Sequence, residues 1–546
     1  MTASAQVPTA ARAEVPADTR LRDAGAQSRL GAALRILVIA LAALAAAWPI
    51  LAHPYLPLVD LPNHIARLYV AANPGTELAR YYDYVFRAVP NAAADILWAA
   101  LGHPASAIFF SRMTMVLYAL NAVAATAVLS RVIWGRWSYW SAASGLLVYS
   151  APFFWGFQNY LIGFPFALHA FSLWLVTEGR RPWARALIFT PLAFALLYLH
   201  LFAFAVLAVG AAGREIQRLA EAPAGPKARH LTSHLWLVLP FMLPLAALVA
   251  EMTRAGPNPA GSLTTFGSLA DRFRALLTPF WDAGLARSAP DLNQAGLLVL
   301  AFFVTIVPFA LRKSGARLTV AEPMRGPLLA MAALSLLAPS WVNGVAAVDM
   351  RFPVVFCLMF VAATRWQDVR LLAGVAIGTV AALILGLRVA LMDGFTAEYN
   401  QRLIPVFQML GHVPPGARVL PLRAPGQEGE PVFWHVQAYA VPLSHAFVPT
   451  LFQGVHALRL RPEWRDRAHP AAHAISSQRL FEAERYARTQ QAAAARGEGP
   501  FWLGWERKFT HLLMLDAGPD LSEDPRLRLV ARSGGAALYK VVAGSR

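Results

Sequence analysis

The sequence predicts a polytopic α-helical membrane protein of about eleven spans, closed by a small C-terminal α/β domain. Three observations predict it. Of 546 residues, 57% are hydrophobic and only 14% charged, against roughly 25% charged in soluble domains. Charge-free apolar stretches recur, as about 30 Å of hydrocarbon demands of a helix of roughly 20 residues. After Asp393 the text changes to Pro, Gly, His and charge, with alternating strand-like runs.

In chain order, residues 1–31 are rich in Ala, Pro and charge and read as a disordered cytoplasmic tail. Spans are placed at Ala32–Leu51, Ile108–Leu129, Ser138–Phe157, Tyr160–Val176, Ala186–Leu199, Leu201–Ala212, Leu235–Ala250, Ala295–Leu311, Pro327–Val345, Pro353–Thr364 and Val369–Met392. The first is long for the apolar core of a signal peptide, and further spans follow it. Five basic clusters separate the spans: Arg131 and Arg136; Arg180, Arg181 and Arg185; Arg214, Arg218, Lys227 and Arg229; Arg312, Lys313, Arg317 and Arg325; Arg365 and Arg370. This arrangement puts all five on one side with the N-terminal arginines, and leaves Arg351 opposite. The positive-inside rule makes that side cytoplasmic and places everything after Met392 outside. The chain between the second and third clusters must therefore leave and return. Ala186–Leu199 and Leu201–Ala212 are read as a squat hairpin turning at Leu199–His200.

The formal charge of +17 thus belongs to membrane loops, and no nucleic-acid partner is needed to explain it. The single Cys357 permits no internal disulfide and reads as a small hydrophobe. A transmembrane domain over 32–392 carries two long outer loops, 53–107 and 251–293. The first has amphipathic pieces at Asn63–Val70 and Asn91–Leu101, expected to lie as helices on the membrane surface; the second has one at Leu269–Leu277. In 393–546, expected to be periplasmic, strands are predicted at Ala417–Leu422, His511–Leu515, Leu527–Val530 and Ala536–Val542, with helical text at Ala474–Gln491.

The strongest local signal is Asp60-Leu61-Pro62-Asn63-His64-Ile65-Ala66-Arg67, just beyond the first span. Asp60 suits a helix N-cap, with Pro62 in the first turn. His64 and Arg67 follow at spacings that put all three on one face. An N-cap aspartate beside polar residues facing lipid headgroups is the plain structural alternative. His53, Asp83 and Asp95 share the same loop, and Asp95 is expected on the polar face of a surface helix. His169 reads as a helix-contacting polar residue inside its span. The C-terminal histidines His412, His435, His445, His456, His469, His473 and His511 come with no matching Cys or carboxylate cluster and read as solvated surface.

The text LPLVDLPNHIARLYV resembles the Asp-x-x-x-His form of the GT-C superfamily of integral-membrane glycosyltransferases, in an uncharacterised bacterial branch. VPNAAADILWAAL, FFWGFQNYLIGFPFAL, LYLHLFAFAVLAVGAAGREI, VDMRFP and the terminal ALYKVV continue the resemblance through most of the chain. It implies a GT-C-like fold in a bacterial inner membrane. The implied reaction moves a sugar, with inversion, from a polyprenyl-phosphate donor to an extracytoplasmic lipid or glycan acceptor. Such a reaction needs a carboxylate to take the acceptor proton and cations to hold the departing phosphate. Asp60 is then the catalytic base, or the ligand of a divalent cation assisting it. His64, Arg67, His200, Asp349 and Arg351 are candidates for the substrate, the arginines by their bidentate fit to phosphate; an ion pair with Asp349 or a snorkelling anchor for Arg351, and a satisfied interfacial histidine for His200, are the plain alternatives. Gln158 and Asn159 are candidates for sugar hydroxyls, although an aromatic belt and turn chemistry explain their surroundings equally well. One departure stands out. Leu61 follows Asp60, so the paired acids of several characterised branches are absent.

A lipid or polysaccharide transporter is the rival class, disfavoured because the predicted spans hold almost no carboxylates. A catalytically inactive scaffold of the same fold is the third.

Overall fold

A computed structural model describes residues 29–542, except 87–88, 104–105, 222–226, 256–263, 343–344, 427–429, 453–456, 470–472, 481, 483–484 and 486–499. Most of the expected tail, His456, part of the second outer loop and half of the helical text at Ala474–Gln491 therefore lie outside the described residues.

Among the described residues, six helices are long and apolar enough to cross a membrane: α1 (Arg29–Ala52), α4 (Ala107–Trp134), α5 (Gln158–Val176), α6 (Pro182–Leu199), α10 (Pro290–Lys313) and α13 (Leu371–Leu410). The chain is a multi-pass membrane protein. Between these lie α2 (Leu61–Ala72), α3 (Ala93–Ala100), α7 (Leu201–Glu221), α8 (Lys227–Ala255), α9 (Leu269–Leu276), α11 (Arg325–Leu337) and α12 (Phe352–Ala363).

The hairpin expected at His200 is present, but it is not squat. Leu199, His200 and Ala203 all lie against Gly163 at the start of α5, while Gly210 lies against Phe171 further along it. At the far end Arg185 of α6 pairs with Glu215 of α7 at 3.0 Å. So α6 rises and α7 returns. Their 18 and 21 residues span roughly 27 and 32 Å. The charge-free runs ended earlier because Arg185, Arg214 and Glu215 read as loop text. In the fold they are buried, with Arg185 paired to Glu215 and Arg214 to Glu178, which lets the helices continue.

Other spans depart further. Ser138–Phe157 is no single α-helix but a 3₁₀ segment, Tyr139–Leu147, and a short turn, Ala151–Phe154. Irregular backbone at that depth persists because protein surrounds it; Arg388 of α13 donates to the carbonyls of Leu146 and Tyr149. Pro327–Val345 is helical only to Leu337, after which Trp341–Val342 and Val345–Ala346 pair as a small hairpin. The last span does not stop at Met392. The helix α13 has 40 residues, about 60 Å, or twice the hydrocarbon thickness. Leu371 and Leu372 near its start are over 80% exposed, whereas Tyr399, Leu403, Val406 and Met409 are buried. It therefore passes from a lipid-suited surface into packed protein.

The five basic loops converge on one end of the molecule. Arg214 reaches Glu178 at 2.7 Å and Glu322 at 3.3 Å. The strands Arg317–Val320 and Thr364–Gln367 pair antiparallel, and Arg365 lies over Trp134. Helices α7 and α11 cross there backbone to backbone. A Cβ on Gly326 would stand 2.1 Å from the Gly213 carbonyl oxygen, so only glycine permits the approach. Gly326→Ala is expected to lower the thermal midpoint in detergent, through an overpacking cost of about 1–3 kcal/mol. An unchanged midpoint would show that the crossing is not close-packed.

At the opposite end, strands form where the alternation predicted them: β2 (Val419–Arg423), β5 (His511–Met514), β6 (Leu527–Ser533) and β7 (Ala536–Val541), joined by β4 (Ile475–Ser476). Their order is β6-β7-β5-β2-β4, with β2 parallel to both β5 and β4 and the other pairs antiparallel. The opening of the predicted helix at Ala474 is thus a strand. This C-terminal region also clamps the first outer loop, since β1 (Tyr82–Tyr84) pairs with β3 (Leu458–Leu460). Helix α2 accordingly does not lie on a membrane surface. Leu61, Ile65, Ala66, Leu68 and Val70 are all buried, because the C-terminal segments supply the apolar cover expected from lipid.

Candidate functional site

Asp60 sits where α1, the first outer loop and the C-terminal region meet. Its backbone is held by a short ladder: Val59 N donates to Phe154 O at 2.9 Å and Asp60 N to Trp155 O at 3.1 Å. Gly156 makes this possible. It adopts φ +72°, and a Cβ there would stand 3.0 Å from Asp60 N. Gly156→Ala is therefore expected to displace Asp60. Displacements of about 1 Å cost roughly 10²-fold in rate, and a sugar-transfer assay on Gly156→Ala membranes checks this; undiminished transfer counts against the placement.

Asp60 precedes the first turn of α2, yet its side chain caps nothing. Its backbone is αR (φ −88°, ψ −12°) and no side-chain capping bond forms, whereas an N-cap aspartate ordinarily has extended backbone. The carboxyl keeps a fifth of its surface. Burial pushes its pKa up to about 7, and the Arg351 charge only partly opposes this. His435 Nε2 lies 3.8 Å from Asp60 Oδ1.

Arg351 is buried in an aromatic box. Its guanidinium carbon stands 3.8 Å from the Phe157 ring centre, 5.3 Å from Phe202 and 5.7 Å from Tyr160. Nε and Nη2 each donate to a carbonyl, of Ala347 and Ala346, at 3.2 Å, and the Tyr160 hydroxyl donates to the Arg351 carbonyl. Burial lowers its pKa to about 10, so it stays cationic at neutral pH. Asp349 is also buried, and burial raises its pKa although its carboxylate accepts from Met350 N at 3.0 Å.

His200 joins the same box. It is extended (φ −166°) between α6 and α7, 4% exposed, with its ring against Tyr160 and Phe202. Its Nδ1 accepts from Phe202 N at 3.1 Å. The structure thus brings together Asp60, Arg351, Asp349 and His200, which stand far apart in sequence.

The remaining candidates have other partners. Arg67 makes a buried, bidentate pair with Asp95 at 3.0 and 2.9 Å, so Asp95 is not on a polar helix face. Asn159 accepts from Ala94 N at 2.8 Å, holding the start of α3, and donates to Asn91 O at 2.5 Å. Gln158 Nε2 donates to Thr114 Oγ1 at 2.8 Å. His64 packs edge-on to Phe452. His53 pairs with Asp393 at 2.9 Å, Asp83 with Arg461 at 2.9 Å, and His169 with Asn121 at 2.9 Å.

Sequence reasoning missed His435. It is 3% exposed, not solvated, and burial holds its pKa down at about 3, helped by His473 and Arg423. Its setting in PVFWHVQAYAV, a histidine inside an apolar run, was the available signal. Among the described residues no group of three His, Cys, Asp or Glu could hold a metal ion.

No family model and no curated protein matches the chain. Two solved structures resemble it. Arabinofuranosyltransferase AftD from Mycobacteria is 15% identical, with TM-score 0.43, over 95% of this chain and 40% of that one. ArnT from Cupriavidus metallidurans, in the apo state, is 12% identical, with TM-score 0.48, over 94% of this chain and 99% of that one. The chain thus spans well under half of the AftD structure.

Proposed function

We propose that this protein transfers a sugar, with inversion, from a polyprenyl-phosphate donor to a lipid or glycan acceptor at the outer face of a bacterial inner membrane. One observation carries the reading: a carboxyl that caps nothing, its pKa pushed up to about 7 by burial, stands in the field of a buried guanidinium that makes no ion pair within 4 Å among the described residues. A base poised near the working pH is what general-base catalysis favours. The basic loops at the far end support a cytoplasmic position for that end and an extracytoplasmic one for this end, by the positive-inside rule.

In this mechanism the Asp60 carboxylate takes the acceptor hydroxyl proton as the new glycosidic bond forms. The bond from the sugar to phosphate breaks on the opposite face, and the polyprenyl phosphate leaves with the electron pair. Arg351 uses Nε and Nη2 on carbonyls, leaving Nη1 and its charge for a phosphate oxygen. Arg67, neutralised by Asp95, is the weaker phosphate partner.

The test is a transfer assay in membranes with polyprenyl-phosphate sugars radiolabelled in the sugar, comparing wild type with Asp60→Asn. Label entering a lipid or glycan only in wild type supports the proposal. Full transfer by the variant removes Asp60 from the mechanism. Label that crosses the bilayer without covalent transfer points to a transporter, and neither outcome points to an inactive scaffold.

A further inference from the structure

Resting on that reading of Asp60, we propose that His435 and Asn63 form a binding site for the acceptor, with His435 donating from Nε2 to the hydroxyl oxygen whose proton Asp60 takes and Asn63 donating from Nδ2 to a neighbouring acceptor oxygen. The 3.8 Å between His435 Nε2 and Asp60 Oδ1 is too long for a direct hydrogen bond. One oxygen atom at about 2.8 Å from each bridges that gap.

Unmet hydrogen-bonding capacity marks the place. His435 Nδ1 and Asn63 Nδ2 are buried without a hydrogen-bond partner among the described residues, and both residues are only 3% exposed. An unmet buried donor such as Asn63 Nδ2 is rare in native structures, where a ligand or water usually satisfies it; the unmet His435 Nδ1 bears instead on which ring nitrogen carries the hydrogen. Asn63 lies one helical turn from Asp60, and its Oδ1 accepts from Phe452 N at 3.2 Å. The Phe452 ring in turn packs edge-on to His435 at 5.1 Å. Phe452 thus touches both Asn63 and His435.

The proton inventory follows. With nothing to receive an Nδ1 proton, the imidazole carries its hydrogen on Nε2, facing Asp60. Burial keeps the ring neutral, so it donates one hydrogen bond and adds no charge. An acceptor hydroxyl then gives its hydrogen to Asp60, takes one bond from His435 through a lone pair, and keeps its second lone pair for the sugar carbon. His435 acts by positioning. The C-terminal region, which supplies it, completes the site rather than decorating it.

The experiment uses the full chain in nanodiscs, with methyl glycosides as acceptor probes and wild type, His435→Phe, His435→Gln and Asp60→Asn compared. The Asp60 carboxyl band is identified in infrared difference spectra by its loss in Asp60→Asn. In wild type this band is expected to shift when a methyl glycoside is added, and in His435→Phe to respond no longer. In transfer assays His435→Phe should raise the acceptor KM about tenfold to a hundredfold while sparing the donor KM, and His435→Gln should restore most of the loss. An unchanged acceptor KM and an unchanged band response in His435→Phe overturn the proposal. So does a wild-type band that ignores methyl glycosides although transfer depends on Asp60, because the gap then holds only water. If the band responds through His435 yet no donor sugar is ever transferred, the hydroxyl site stands and the transferase reading falls.

Discussion

Replacing Asp60 by Asn is expected to lower sugar transfer by about 10²–10⁴-fold, the usual worth of a general base, while leaving the chain folded in membranes. The same variant should be no less stable than wild type, and more stable above neutral pH. The sign follows from linkage. The folded-state pKa, near 7, exceeds that of an unfolded aspartate, about 3.9. The folded chain therefore holds an extra proton between those values, and the contribution of Asp60 to stability declines as pH rises through that window. Asparagine removes the cost of burying the charge. Activity should run the other way, climbing as pH rises through about 7, because only the carboxylate accepts a proton. Melting curves and transfer rates on the same membranes across the neutral range check both halves. A wild-type rate that is flat across pH 7, with chemistry limiting, counts against Asp60 as the base.

The second large effect is expected at Arg351. Arg351→Lys keeps a positive charge but loses the planar fork, the stacking on Phe157 and the bonds to Ala346 and Ala347. Transfer should fall by about 10²–10³-fold, as when one preorganised charge-stabilising donor is removed. The donor KM should rise while the acceptor KM stays put. Arg351→Met, which fills the aromatic box without charge, should retain folding better than Arg351→Ala and yet transfer no better than Arg351→Lys. The measurement is initial rate against each substrate in turn. A variant that weakens acceptor and donor equally would mark Arg351 as a structural residue only.

Much of this was readable from one dimension, for physical reasons. Hydrocarbon forbids unpaired backbone and charge, so α1, α4, α5 and α10 announce themselves by composition alone. Short strand-like runs located β2, β5, β6 and β7, of which β2 and β5 are buried along their whole length. The candidate base was singled out by the spacing of Asp60, His64 and Arg67 just beyond the first span and by the resemblance of the text around it. Harder cases share one cause. Ser138–Phe157 is as apolar as a helix, and only the guanidinium of Arg388, arriving from α13, explains how an irregular path is held there. The lengths of α6 and α7 depend on Arg185 meeting Glu215, a partnership that composition counts as two loop charges.

Apolar runs, charge asymmetry and strand alternation are properties of neighbours along the chain, and they suffice for a multi-pass protein with its basic loops at one end and a sheet at the other. Partner choice across long separations is a different matter. That Asp95 neutralises Arg67, that Phe157 and Tyr160 box Arg351, and that His435 comes to face Asp60 all follow from close packing in three dimensions. Burial is what turns Asp60 from an ordinary carboxylate into one that titrates near 7, and burial is conferred by residues hundreds of positions away.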